Sequence, residues 1–283
     1  MQTLQAVIMG AVQGLTEFLP VSSSGHIVLS SAFYKMFTGA EIVVTNEEIF
    51  FDILIHLSTL FAVIIYFLGD IKNILSNFYT AAKEKNYKSD NFLFVIYILV
   101  ATFVTALFGL VTKEAAHNLT ENPFVVSIFI IMTGCVLLIS EKIKKDEIKK
   151  DENKKIDIKT ALVVGLFQGF AVMPGLSRSG MTISSAMFMG LKRFDAAKFS
   201  FILSIPIILL ASFVYPILTF DLKDVSNFNF LALISGMVTS FITGYLCIKY
   251  FMNFLKNNNL RCFAYYCFIM GAISATFFYI TGV

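Results

Sequence analysis

Gln13-Gly14-Leu15-Thr16-Glu17-Phe18-Leu19-Pro20-Val21-Ser22-Ser23-Ser24-Gly25-His26 is the stretch on which the fold turns. A second copy starts 155 residues later and runs through Gln168-Gly169 to Pro174-Gly175-Leu176-Ser177-Arg178-Ser179-Gly180. Laid without a gap, residues 10–25 and 165–180 agree at six of sixteen positions: Gly10/Gly165, Gln13/Gln168, Gly14/Gly169, Ser22/Ser177, Ser24/Ser179 and Gly25/Gly180. Each copy reads as a short apolar helix, a break at Pro20 or Pro174-Gly175, and a second short helix opened by serines. Between them the copies carry a carboxylate, an imidazole, a guanidinium and several hydroxyls.

Outward from these two tips the chain is apolar. Of 283 residues, 57% are hydrophobic and 14% charged, where a soluble domain carries about 25% charged residues. That composition belongs to a polytopic membrane protein. A spanning helix needs about 20 apolar residues, and six stretches qualify: 49–68, 93–111, 123–140, 199–219, 230–249 and 262–280. The pairs 4–19 with 22–37 and 160–173 with 177–191 are shorter. Each of their helices reaches only about 20–25 Å, so they read as re-entrant pairs. The N-terminus lacks a basic region, and a retained membrane segment is expected there rather than a cleaved signal.

Charge sets the orientation. Segments 69–92, 141–159, 192–198 and 249–261 hold 18 of the 22 Lys and Arg, and positive residues stay on the cytoplasmic side. Segments 38–48, 112–122 and 220–229 hold two between them and face out. Six spans alternate between these without conflict, with both termini outside. The first pair then enters from outside and the second from inside, each followed by three spans. The expected architecture is therefore all-α, with six transmembrane helices and two re-entrant pairs in inverted-topology repeats. Residues 1–140 form the first repeat, 141–159 a solvated cytoplasmic linker and 160–283 the second repeat. Such folds place a binding site near the midplane, where the tips meet.

The chemistry is expected at those tips. Gln13 and Glu17 share a helix face. Ser22, Ser23, Ser24 and Gly25 open a helix N-terminus, whose free amides and partial positive charge suit phosphate; capping alone is the other reading of the serines. Ser23 and His26 lie one turn apart, and a hydroxyl beside a carboxylate and an imidazole is the minimum for an activated nucleophile. A carboxylate at membrane depth costs about 2.5–3.5 kcal/mol on insertion scales, which makes Glu17 functional by default. Arg178, between Ser177 and Ser179, has the fork geometry for phosphate oxygens. The competing reading for Glu17 and Arg178 is a structural ion pair, and for His26 a core histidine. Asp52 and His56 are read as facing the cavity behind the site, His117 as a solvated loop residue. Four scattered cysteines give no metal or disulfide spacing. There is no P-loop or dinucleotide fingerprint, and the mixed charges of the linker argue against nucleic-acid binding.

Two signatures resemble the bacterial undecaprenyl-diphosphate phosphatase family of the bacitracin-resistance type. One is Gln13-x-x-x-Glu17 leading into Phe18-Leu19-Pro20-Val21-Ser22-Ser23-Ser24-Gly25-His26. The other is Pro174-Gly175-x-Ser177-Arg178-Ser179-Gly180. Ser58 stands where the family would lead one to expect glycine. The resemblance implies six spans with two re-entrant pairs, a homodimer, and a bacterial inner-membrane enzyme of cell-wall synthesis that conserves cell shape and confers bacitracin resistance. It implies hydrolysis of undecaprenyl diphosphate to the monophosphate with a divalent cation, Mg2+ or Ca2+. Carried over position by position, Gln13 and Glu17 take the acidic, metal-binding pair, the first of which is Gln here. Ser23 takes the nucleophile, His26 the essential histidine and Arg178 the phosphate-binding arginine, with Ser22, Ser24, Gly25, Ser177 and Ser179 lining the phosphate. His26 as nucleophile or acid, and a metal-bound water as attacker, remain open alternatives. The expected access is outward. The rival class is a lipid-phosphate flippase, alone or combined with the phosphatase, because broken helices in inverted repeats also mark transporters.

Overall fold

A computed structural model describes residues 2–39, 46–120, 122–147, 154–219 and 229–282. Among these the secondary structure is helical throughout: α1 Thr3–Phe18, α2 Ser23–Thr38, α3 Asn46–Tyr66, α4 Leu68–Lys83, α5 Asp90–Thr120, α6 Pro123–Glu147, α7 Ile158–Phe170, α8 Arg178–Phe188, α9 Arg193–Thr219, α10 Phe230–Phe254 and α11 Arg261–Thr281. Six of them are long and apolar enough to span a bilayer: α3, α5, α6, α9, α10 and α11. They match the six stretches expected from the sequence. The chain is a multi-pass membrane protein.

The two tips form as the breakers dictate. Pro20 holds the residue before it out of the helical region, and Leu19 is extended at φ −69°, ψ 143°, ending α1 at Phe18. Ser22 caps α2 by accepting from the Gly25 amide at 3.2 Å. In the second copy Gly175 takes φ +97°, and Ser177 caps α8 by accepting from the Gly180 amide at 3.0 Å. The same pair of aligned residues thus makes the same cap twice.

The aligned glycines also do one job twice. Helix α1 lies against α10, and α7 lies against α5. A Cβ on Gly10 would collide with the carbonyl of Gly236, and one on Gly165 would sit 2.7 Å from the carbonyl of Ala101. Gly14 meets the Ser240–Gly244 turn of α10, and Gly169 meets Phe108 of α5. Small residues at these four points let the short helices approach backbone to backbone. The remaining long contacts join α3 to α10 and α9, and α6 to α11. Buried Phe18, Phe67, Phe199, Phe201 and Phe251 fill the space between them.

Three expectations are corrected. Segment 69–92, read only as a lysine-rich connection, contains α4. Its first turn carries Asp70 near the positive helix end. Segment 112–122, expected to face out as a loop, is largely the end of α5, so His117 lies on a helix; its side chain is outside the described set. Glu141, read as the start of the solvated linker, is 2% exposed. It accepts from Arg193 Nε at 2.7 Å, from Arg193 Nη2 at 2.5 Å and from the Leu260 amide at 3.0 Å. A carboxylate with three donors is satisfied away from water. Parts of the expected loops 38–48, 141–159 and 220–229 fall outside the described residues. Near the end of the linker, Asp157 caps α7 through the Thr160 amide at 2.8 Å. Burial pushes this carboxyl up, but hydrogen bonds from Lys154 and Thr160 outweigh it and hold it at about 2.

Candidate active site

Glu17 is the centre. It sits in the last turn of α1 and is 5% exposed. Its Oε2 accepts from Ser23 Oγ at 2.6 Å and from Gln13 Nε2 at 2.9 Å. Its Oε1 accepts from Arg178 Nη2 at 2.5 Å. The i,i+4 spacing of Gln13 and Glu17 brings the amide onto the carboxylate. Ser23, the first residue of α2, and Arg178, the first residue of α8, reach it from opposite tips. Those two positions are equivalent in the aligned copies, so one tip supplies a hydroxyl where the other supplies a guanidinium.

The tips are also joined directly. Ser179 Oγ donates to the Leu19 carbonyl at 2.9 Å. A Cβ on Gly25 would come within 3.1 Å of Gly175 Cα. Thr133 on α6 donates to the Gly175 carbonyl at 3.1 Å and accepts from the Ser177 amide at 3.0 Å, fixing the second tip. Two helix N-termini therefore open beside one carboxylate and one guanidinium. Arg178 Nη1 is buried with no hydrogen-bond partner. A buried, unpaired guanidinium donor is costly unless a ligand completes it.

The expected residues divide by what they touch. Ser22 and Ser177 are caps. Ser24 lies 3.4 Å from Ser22 Oγ, and Ser179 lies 3.2 Å from Ser177 Oγ. The ion pair weighed for Glu17 and Arg178 is present, yet it leaves one arm of the guanidinium free. His26 departs from the expectation. Its ring does not turn to Ser23: Nδ1 lies 2.7 Å from the Ser22 carbonyl and Nε2 lies 2.7 Å from Tyr266 Oη. The carbonyl one turn back outcompetes the hydroxyl three residues back.

One neighbour escaped the sequence reading. Tyr266 lies on α11, and no periodicity links it to His26. His56, expected with Asp52 to face the cavity behind the site, stands next to Glu17: Nε2 is 3.7 Å from Glu17 Oε2, and Nδ1 donates to the Asp52 carbonyl at 2.8 Å. The Asp52/His56 spacing was the available signal. A separate groove of 460 Å³ at the ends of α4, α5 and α9 is lined by Asp70, Asp90, Asp195 and Lys198, among others, and includes none of these residues.

The donors suit a hard cation by type. Mg2+ and Ca2+ take oxygen ligands, and Mg2+ keeps waters and binds through one or two carboxylates plus substrate phosphates. Gln13 Oε1 and Asp52 Oδ1 are buried oxygens without hydrogen-bond partners, and both belong to the cluster around Glu17. Among the described residues no group of three His, Cys, Asp or Glu forms a protein-only metal cage. That is compatible with a cation shared with substrate.

Comparison with known proteins places the chain in a family. A protein of Treponema denticola named undecaprenyl-diphosphatase is 38% identical over 281 residues, covering 99% of this chain and 98% of its own. The Methanosphaera stadtmanae protein of the same name is 37% identical, covering 96% of both chains. Undecaprenyl-diphosphatase 2 of Halalkalibacterium halodurans is 36% identical, covering 99% and 96%. The family model described as bacitracin resistance protein BacA matches residues 6–273, which takes in both tips, the first five long apolar helices and the first part of α11, and the chain belongs to that family.

Proposed function

We propose that the protein is an integral-membrane phosphatase that hydrolyses undecaprenyl diphosphate to undecaprenyl phosphate and inorganic phosphate, which recycles a carrier lipid and confers bacitracin resistance. The observation that carries this is the free Nη1 arm of Arg178 beside the Ser23–Glu17 hydrogen bond. A phosphate oxygen completes the guanidinium, and a hydroxyl is already held on a carboxylate next to it. The names of the relatives support the same substrate.

Arg178 and the first-turn amides of α2 and α8 bind the diphosphate. In a loose phosphoryl-transfer transition state, positioning and charge neutralisation supply most of the rate. Ser23 Oγ attacks the terminal phosphorus in line. As the Oγ–P bond forms, the bond from phosphorus to the bridging oxygen breaks. Its electron pair leaves on undecaprenyl phosphate, and Glu17 Oε2 takes the Ser23 proton. Water then cleaves the phosphoserine, releases phosphate and restores the hydroxyl. Glu17, Gln13 Oε1 and Asp52 Oδ1 are the groups that would hold a divalent cation, which when bound neutralises phosphate charge. The Lys-rich segments favour both termini outside in the inner membrane, with the site opening outward. The matched packing of α1 on α10 and α7 on α5 supports two inverted repeats, and the exposed apolar helix faces leave room for a homodimer. The flippase reading finds no support among the relatives' names.

The test is phosphate release from undecaprenyl diphosphate by purified protein in detergent, with and without Mg2+ or Ca2+. Ser23→Ala and Arg178→Ala are expected to lose at least about a hundredfold in turnover, the scale of a lost nucleophile or transition-state donor. Release that survives Ser23→Ala transfers the attack to His26 or to water. Absence of release by folded wild type under any cation overturns the enzyme.

A further inference from the structure

His26 lies in the first turn of α2, but neither of its ring nitrogens faces Glu17, Ser23 or Arg178. The Ser22 carbonyl can only accept a hydrogen bond, so Nδ1, 2.7 Å away, carries a hydrogen. In the neutral ring the other nitrogen is then a lone pair. Tyr266 Oη lies 2.7 Å from it, and the two rings run parallel at 10° with centroids 5.6 Å apart. With the ring neutral, the hydroxyl donates to Nε2.

What His26 holds is an unusual residue. Ser22 adopts φ 73°, ψ 93°, a region that side chains other than glycine rarely enter. Its carbonyl accepts twice from His26, from the ring and from the amide at 3.1 Å. Its hydroxyl accepts from the Gly25 amide. Ser23 follows directly in the chain. The conformation of Ser22 thus decides where the Ser23 hydroxyl and the opening amides of α2 point. Tyr266, 240 residues from His26 in the chain, secures this arrangement from α11.

We propose that Tyr266 is a positioning residue: its hydroxyl keeps His26 as the neutral Nδ1–H tautomer, and His26 in turn holds the strained Ser22 turn that aims Ser23 at Glu17. His26 then acts through the backbone of Ser22 and does not meet the phosphorus. The catalytic half of this proposal rests on the phosphatase reading; the tautomer half does not.

The experiment uses the full chain with 15N-labelled histidine in detergent. The chain has three histidines, and His26→Gln assigns the resonances of His26. In the wild type at neutral pH, His26 is expected as Nδ1–H with Nε2 accepting a hydrogen bond. Tyr266→Phe keeps the ring and removes the hydroxyl. It is expected to move the Nε2 resonance toward that of a free imidazole nitrogen. It is also expected to lower turnover on undecaprenyl diphosphate about three- to tenfold, the weight of one neutral hydrogen bond, with KM unchanged. An Nε2–H tautomer in the wild type overturns the proposal without any variant. So does a Tyr266→Phe protein whose turnover stays at the wild-type level, whether or not the resonance moves. Wild type that releases no phosphate would sink the functional reading alone, because the tautomer is read independently.

Discussion

Ser23, Glu17 and Arg178 occupy positions at which the two sequence copies differ. Offset by 155 residues, Glu17 faces Val172, Ser23 faces Arg178 and His26 faces Met181. The six identical positions hold the caps, the close-packing glycines, the paired serines and Gln13/Gln168. The repeat identity marks scaffold, and the candidate chemistry sits at the mismatches. That explains what was legible. Glu17 and Arg178 announce themselves because a lone charge in an apolar chain needs a reason. Tyr266 does not, because a half-exposed tyrosine on a spanning helix is ordinary until a partner from the other end of the chain is known. The role of the Glu17–Arg178 pair can be separated from mere structure. Glu17→Gln leaves Arg178 unpaired and is expected to cost about 3–5 kcal/mol of stability, the effect of breaking a buried pair. Glu17→Gln with Arg178→Met removes both charges and is expected to recover most of that loss with no phosphatase activity. Thermal unfolding in detergent beside a phosphate-release assay reads both. Activity in the double variant would reduce the pair to a structural one.

At the scale of elements, the sequence showed where helices stop more clearly than how they pack. Pro20 and Pro174-Gly175 marked both breaks, although α7 stops at Phe170 rather than at the expected residue 173, and the serines marked where α2 and α8 open. The extra helix α4 went unread because its lysines and asparagines carry the composition of a connection. Only tertiary contacts show what Gly14 is for. A Cβ there would sit 2.5 Å from the Ser240 carbonyl and 2.7 Å from the Gly244 amide, backbone atoms that cannot rotate away. Gly14→Ala therefore has to push α1 off α10, and α1 carries Glu17. Overpacking of this kind costs about 1–3 kcal/mol, and a shift of the carboxylate from Ser23 is expected to lower turnover as well. Gly69 is the matching control. It lies in α4 with nothing within 4 Å of a built Cβ, so Gly69→Ala is expected to stabilise by about 0.5–1 kcal/mol through helix propensity. Melting temperatures moving in opposite directions for the two variants check the packing. A neutral Gly14→Ala would mean that α1 does not approach α10 this closely.

The whole molecule is polarised by charge in a way that a handful of ion pairs makes concrete. Glu141 with Arg193, Lys198 with Asp70 at 2.6 Å and Lys155 with Asp90 at 2.5 Å all lie in or beside the lysine-rich segments. They tie α6 to α9, α9 to α4, and residues before α7 to α5. The other ends of α5, α6 and α9 border segments 112–122 and 220–229, which hold one Lys or Arg each. Positive residues resist translocation, so the tied end is expected in the cytoplasm, and the N-terminal end of α1 on the other side. Two thiols decide this. Cys262 is exposed at the start of α11 beside Arg261, at the tied end. Gln2 is exposed just before α1. In intact cells a membrane-impermeant thiol reagent is expected to modify Gln2→Cys in a chain whose native cysteines are replaced. It is expected to spare Cys262 until the membrane is opened. The reverse pattern would turn the molecule over, and would bring the Glu17 tip in from the cytoplasmic side. Labelling of both sites before opening would show instead that the chain does not cross the membrane between them an odd number of times. Either result would remove the charge argument for outward access while leaving the geometry at Glu17, Ser23 and Arg178 untouched, because those contacts are internal to the protein and do not depend on which way it faces.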